Sequence, residues 1–373
     1  MRVLICPDKF AGTLTAVEAA EAIARGWRQA VPADGQDLRP LADGGPGFLD
    51  VLRTSLVATR VPVPTADPLG RPVPGEVLVV DGTAYLESAQ ACGLHLLAPE
   101  ERDPKVTTSY GLGILVAAAV EYGVREVVIG LGGSGTNDCG AGMLAALGAQ
   151  PLDAAGYALP YGGAALLACT GLGGQPRLRG VRLVAATDVD SPLTGALGAS
   201  AVFGPQKGAT PEEIELLDAA LGTFAGVLQR ALPECPDRLA EQPGAGAAGG
   251  LGAALLAAGG RVVSGLALVR QVTGLDAALD GADLVITGEG SFDEQSLRGK
   301  VVSGVAEGAR RRGKPCLVFA GRSSTAAEAA AAAGVTATYT LVEHFGDVRT
   351  AMARAGDGLA ELAAEVARDW PRG

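Results

Sequence analysis

The chain has 373 residues, 48% of them hydrophobic and only 4% aromatic, with 55 glycines and a formal net charge of −11. That length exceeds one small core and makes two α/β domains the natural expectation. The acidic balance argues against a nucleic-acid partner and leaves any anionic substrate to local Lys, Arg or backbone donors.

No apolar run reaches the length of a membrane span, and MRVLICPDKF meets Pro and Asp too early for a signal peptide. The six cysteines stand singly, without CxxC, which predicts free thiols. A soluble, cytoplasmic protein is expected. With His95 and His344 as the two histidines, a His-rich metal site is excluded.

In chain order, the pattern opens with a strand over 2–6, a Pro-Asp-Lys turn and a helix over about 15–30. Thr15 serves as its N-cap, and Glu18 three residues on completes a capping box. A second short strand runs to Leu41, and a helix over 47–57 follows ADGGPGF. From about 60 to 85, spaced prolines, turn pairs and period-two apolar residues predict β-hairpins. A helix near 107–122, a strand over 126–130, a glycine loop, a helix and a strand over 181–187 come next. GADLVITGEG near 281–288 reads as a buried parallel strand with a loop at its carboxyl end. KVVSGVAEGARRRG then predicts a helix and KPCLVFAG a strand. STAAEAAAAAG, TATYTLVE and a long C-terminal helix close the chain. The economical architecture is a doubly wound domain from both chain ends, 1–62 and 281–373. A second α/β domain, 63–280, is inserted between them.

The stretch VIGLGGSGTNDCGAGM, 128–143, holds the strongest local signal. Glycines let backbone N–H groups approach an anion, and a helix start behind them adds partial positive charge. Gly132, Gly133, Ser134, Gly135 and Thr136 thus form a candidate phosphate cradle, with Asn137 and Asp138 beside it. A carboxylate there repels phosphate unless a divalent cation intervenes, so the loop points to metal-bridged phosphate.

Ligands of open parallel sheets bind past the carboxyl ends of the strands. The residues at those ends form a consistent set: Asp8-Lys9; Asp43-Gly44-Gly45; Asp188 and Asp190; Glu289 with Asp293. Each acid alone reads equally as an Asx turn or N-cap; their joint occurrence at strand ends points to a site. Asp188 and Asp190, two apart, share a face of an extended segment and suit one Mg²⁺. Lys207, in Gln206-Lys207-Gly208, is a compact cation for a phosphate oxygen, or else a solvated turn lysine.

Two GxGxxG strings, 130–135 and 244–249, match the dinucleotide fingerprint, and Asp153 lies about the right distance beyond the first. Pro151 interrupts the strand that should precede that acid, so a nicotinamide-dependent oxidoreductase is a secondary reading. In the Gly/Ala-rich segment 243–260, the earlier glycines suit phosphate contact and the later ones packing. Lys300 follows Gly299 without the rest of a Walker A, which excludes a P-loop NTPase.

The strings PDKFAGTLTA, LADGGPG, GLGGSGTNDCGAGML, TDVDSPLTGALGASAVFGPQKGA, PGAGAAGGLGAALL and DLVITGEGSFDEQSLRGK run nearly end to end. Together they resemble the type I bacterial glycerate kinases. The resemblance implies ATP- and Mg²⁺-dependent phosphorylation of D-glycerate, usually on the 2-hydroxyl to give 2-phosphoglycerate. It also implies two α/β domains, one Rossmann-like and discontinuous, with a cleft between them. The expected roles follow. Asp188 or Asp190 holds Mg²⁺ or takes the hydroxyl proton, and Lys9 and Lys207 neutralise carboxylate or phosphate charge. The loop over 132–137 cradles phosphate. Asp8, Asp43, Gly44, Gly45, Asn137 and Asp138 meet the substrate, and Glu289 with Asp293 serves nucleotide or metal. A non-catalytic binding protein is the other alternative, and a monomer or homodimer is the expected state. The chain departs from the family at Ala11-Gly12-Thr13, where Lys-Gly-Ser is usual. It departs again at Pro46 and Phe48, where Glu and Thr are usual, and at Ser291-Phe292.

Overall fold

The computed structural model describes residues 1–294, 296–297 and 300–371. They form two compact units: Met1–Asp43, Asp50–Leu56 and Leu266–Gly373 in the first, Gly44–Leu49 and Val57–Gly265 in the second. Strands are numbered along the chain. The first unit begins with β1 (Arg2–Ile5) and β2 (Gly35–Leu38). The second holds β3 (Thr59–Ala66), β4 (Pro72–Val80), β5 (Thr83–Glu87) and β6 (Glu126–Gly130). After these come β7 (Gln150–Leu152), β8 (Gly171–Gly173), β9 (Arg182–Ala186) and β10 (Arg261–Val263). The chain then returns to the first unit with β11 (Leu284–Phe292), β12 (Cys316–Ser323) and β13 (Ala337–Thr340).

The first unit's sheet is parallel throughout, in the order β13-β12-β11-β1-β2. The chain leaves β1 towards β2 on one side and returns on the other through β11, so the strand order reverses beside β1. Crevices that bind ligands open at that reversal, past the carboxyl ends. Val3, Leu4 and Ile5 are wholly buried, as parallel strands covered on both faces require. The helix Ala16–Ala30 carries the predicted capping box, with Glu18 N donating to Thr15 Oγ1 at 3.1 Å and Thr15 N to Glu18 Oε2 at 2.8 Å. It packs so tightly on the helix Ala355–Asp369 that Gly26, facing Ala360, has no room for a Cβ.

The second unit's sheet is mixed, in the order β10-β9-β6-β5-β4-β3. Its parallel part, β5-β6-β9-β10, continues into the antiparallel hairpins β3-β4-β5 predicted from the spaced prolines. The helices Tyr110–Tyr122, Pro211–Ala231 and Ala247–Ala257 contribute to its apolar core through Leu115, Phe224 and Leu255.

Three element boundaries differ from the sequence reading. All of β3 pairs with β4, from Thr59↔Val79 to Ala66↔Pro72, which draws 57–62 into the second unit. The helix Gly265–Thr273 is bonded within the first unit from Leu266 onward, through Arg39 Nη1 to Thr273 O (2.8 Å) and Arg270 Nη1 to Gly304 O (3.2 Å). Finally, β11 runs on to Phe292 because β12 stays paired with it as far as Ser323. Glu289 therefore stands on a strand, not in a loop.

Candidate active site

In the first unit, the ends of β1 and β11 gather charged groups. Past Ile5 the chain stays tied to both neighbouring strands: Cys6 N donates to Ile286 O (2.8 Å), Asp8 N to Gly288 O (2.8 Å) and Leu41 N to Pro7 O (2.9 Å). Those bonds fix Asp8, whose Oδ1 accepts from Lys9 N at 2.7 Å. Lys9 Nζ stands 3.8 Å from both Asp8 Oδ1 and Asp43 Oδ1, so one cation serves two acids. Burial pushes the Asp8 carboxyl up to about 6; the Lys9 charge opposes the rise and Asp43 adds to it.

Burial also pushes Glu289 up to about 7, against a hydrogen bond from Ser296 and the charge of Lys300. The charges of Asp8 and Asp293 add to that rise. Among the described residues, Glu289 Oε1 is buried without a hydrogen-bond partner. Folded proteins rarely leave such an acceptor unless a ligand, ion or proton meets it. Asp293 and Ser296 form a reciprocal turn: Asp293 N donates to Ser296 Oγ (3.1 Å) and Ser296 N to Asp293 Oδ1 (3.3 Å).

In the second unit the glycine loop makes the close approach its sequence predicts, but what approaches is another loop of the same unit. A Cβ on Gly132 would lie 2.6 Å from Gly45 Cα, one on Gly130 2.6 Å from Gly44 O, and one on Gly133 2.6 Å from Pro46 Cγ. Gly44, at φ +92°, faces Ala186 O with no space for a side chain. The two glycine strings thus explain each other. Glu87 Oε2 fastens the first of them, accepting from Gly47 N (3.1 Å) and Leu49 N (3.3 Å). Gly135 packs against Leu94, and Gly133 is the exposed residue of the 132–135 stretch.

Beyond Gly133 the loop is buried: Ser134 is 5% exposed, Thr136 and Asn137 0%, Asp138 1%. Asp138 corrects the expectation of a metal-bridged phosphate. Its Oδ2 accepts from Ser109 N and Ser109 Oγ (2.8 Å each) and Gly142 N (3.1 Å), and its Oδ1 from Gly140 N (3.1 Å). Burial raises its pKa against those bonds. Both oxygens clamp the loop from inside.

Lys207 is a second correction, to both its solvated and its phosphate-facing readings. It is 1% exposed, and its Nζ donates to Thr136 O at 2.7 Å. Burial pushes its pKa down to about 8, with Asp138 and Cys92 opposing. It braces the loop from within. Asn137 Nδ2 donates to Ser200 Oγ (2.9 Å), while Asn137 Oδ1 and Thr136 Oγ1 are buried without partners among the described residues. In the 243–260 segment, Gly246 lies against Pro192 O and Gly249 against Thr136 O, whereas Gly244 meets the Val262 side chain.

Asp188 and Asp190 stay exposed past the end of β9. Ser264 Oγ donates to Asp188 Oδ1 at 2.5 Å. No group of three or more His, Cys, Asp or Glu able to hold a metal occurs among the described residues. Two hard carboxylates nevertheless suit Mg²⁺, which keeps several waters and takes further oxygens from phosphate. Asp153 accepts from Ala155 N and Tyr157 N (2.9 Å each), an Asx turn in place of a ribose contact.

The sequence matches the model of the glycerate kinase family over residues 3–371. The chain belongs to the glycerate kinase family. It is accordingly an enzyme, a phosphotransferase with an alcohol group as acceptor. The glycerate kinase of Haemophilus influenzae is 40% identical over 374 residues, covering 99% of this chain and 98% of its own. The glycerate 2-kinase of Escherichia coli K12 is 38% identical over 373 residues, covering 98% and 97%. A crystal structure assigned to glycerate kinase 2 of Salmonella typhimurium LT2 matches with a TM-score of 0.80 at 40% identity, covering 98% and 97%. The expected two-domain α/β class, with its discontinuous doubly wound domain, is the class found.

Sequence reasoning missed several residues around these groups. Lys300 acts on both Asp8 and Glu289 but was weighed only as part of a failed P-loop. Ser296 stands three residues after Asp293, and that Asx spacing was the available signal. Ser109 and Glu87 carried none, since each acts on a loop distant in sequence.

Proposed function

We propose that the enzyme transfers the γ-phosphoryl group of ATP to the 2-hydroxyl of D-glycerate, with Mg²⁺, giving 2-phosphoglycerate and ADP. The observation that carries this reading is the Asp8–Lys9–Asp43–Glu289 cluster at the strand-order reversal, with its one cation shared by two acids and its unpartnered carboxylate oxygen. Phosphoryl transfer needs positioning and charge more than covalent help. The bond from the γ-phosphorus to the β–γ bridging oxygen breaks and a bond from glycerate O2 forms. The hydroxyl proton passes to a carboxylate, and ADP leaves.

Asp8 is the base in this scheme. At about 6 its carboxyl is largely ionised at neutral pH, yet more basic than an ordinary aspartate. Lys9 balances the substrate carboxylate or the charge that develops on phosphate, and Asp43 orients the small acid. Asp188 and Asp190 would hold Mg²⁺, which when bound neutralises phosphate charge. Gly132 and Gly133, the accessible part of the glycine loop, offer backbone donors to phosphate. The 2-position is favoured by the Escherichia coli relative, which is named a glycerate 2-kinase. The six free cysteines suit a reducing cytoplasm.

Turnover of Asp8→Asn and Asp190→Asn tests the assignment. Each is expected to lose at least about 100-fold in kcat/KM with an unchanged circular dichroism spectrum, roughly the contribution of a positioned acid–base or metal group. Near-wild-type rates in a folded variant would sink that residue's role.

A further inference from the structure

A cavity of about 350 Å³ opens over the last residues of β11 and β12 and past the carboxyl end of β1, wholly within the first unit. Ala11, Gly290, Gly321, Arg322, Val348 and Met352 form much of its lining. It lies beside the strand-order reversal and next to the charged cluster: Ala11 is two residues beyond Lys9, and Gly290 follows Glu289. Its floor is bare backbone. Gly321 meets Gly290 O too closely for a Cβ, and a Cβ on Gly290 would lie 3.1 Å from Ala11 N.

The rest of the lining is mostly apolar, with Thr13, Ser291 and Arg322 as its polar side chains. Among the described residues of this unit, the large hydrophobic side chains left exposed are Val348 (50%) and Met352 (54%), and both stand on this wall. Apolar surface gathered in one concavity marks a binding site more than scattered exposure does. Arg322, whose Nε donates to Ser291 Oγ at 3.2 Å, adds a planar cation that can lie over an aromatic ring. Glycerate, small and polar throughout, has no apolar surface to bury against such a wall. A flat, uncharged heteroaromatic group suits it in size and chemistry.

We propose that this cavity receives the purine nucleoside of the phosphoryl donor, with the phosphates directed to Lys9. The proposal rests on ATP being that donor. The test uses the full-length enzyme and the variants Val348→Glu and Met352→Glu, both at exposed positions. Adenosine, which has no phosphate, and ATP are titrated calorimetrically, and steady-state kinetics are measured with D-glycerate. Both variants are expected to weaken adenosine binding and raise the KM for ATP at least tenfold, with the KM for glycerate within twofold of wild type. Unchanged adenosine and ATP affinities in both variants, or a wild type that binds no adenosine, would overturn the proposal. Should the wild type bind adenosine but phosphorylate no glycerate, the reading of the reaction fails. The variants then still decide the cavity: adenosine binding lost in both supports it, and binding retained overturns it.

Discussion

Glu289 and Asp8 are carboxyls whose pKa the fold holds high, and that has a stability consequence with a definite sign. A folded-state pKa above the unfolded value gives a contribution present below the unfolded pKa and lost as pH rises through the folded one. For Glu289 the window runs from 4.5 to about 7, so its ionised form costs stability at pH 8. Glu289→Gln is therefore expected to raise Tm by about 1–3 °C at pH 8 and leave it unchanged at pH 4. An equal shift at both pH values in scanning calorimetry would refute this. Lys207 has the opposite window. Its depressed pKa makes its contribution present above 10.5 and lost as pH falls through about 8. Lys207→Met should gain stability relative to wild type as pH falls across that range, measured by urea unfolding. At this scale the strand-end rule named Asp8, Lys9, Asp43 and Glu289 from sequence alone. The burial of Asp138 in the glycine loop and of Lys207 in its Gln-Lys-Gly turn was not legible, because residue type does not reveal whether a charge faces solvent or a buried carbonyl.

Elements explain why. The glycine loop after β6 was legible as a place of close backbone approach, since glycines, a strand before and a helix behind are local signals. Its partners were not legible. The 44–47 loop, Ser109 and the broken helix around Gly249 lie tens of residues away and meet it through tertiary packing. Gly249 shows how tight that packing is: its φ is +71° and a Cβ would strike Thr136 O. Gly249→Ala is expected to destabilise by about 2–4 kcal/mol, combining backbone strain with overpacking. Asp138→Asn, which turns an acceptor into a donor facing other donors, should cost about 2–3 kcal/mol. Denaturant midpoints within experimental error of wild type would contradict the clamp. The extension of β11 was missed for a similar reason: glycines at 288 and 290 signal a turn locally, whereas pairing with β12 keeps them in the sheet.

At the scale of the molecule, the doubly wound unit was legible because both chain ends carry short apolar runs that finish in acids and glycines. The exact partition was not, since 57–62 and 266–273 are assigned by hydrogen bonds to distant residues. The chemistry follows from the same organisation. A parallel sheet places Asp8 and Glu289 on adjoining strand ends, where burial raises both carboxyls and, among the described residues, leaves Glu289 Oε1 without a partner. The most direct measurement is ADP release by the purified enzyme given D-glycerate, ATP and Mg²⁺, with the product resolved by ³¹P NMR. Release that requires all three components, with 2-phosphoglycerate as product, is the predicted result. No glycerate-dependent ADP, or 3-phosphoglycerate in its place, would contradict it.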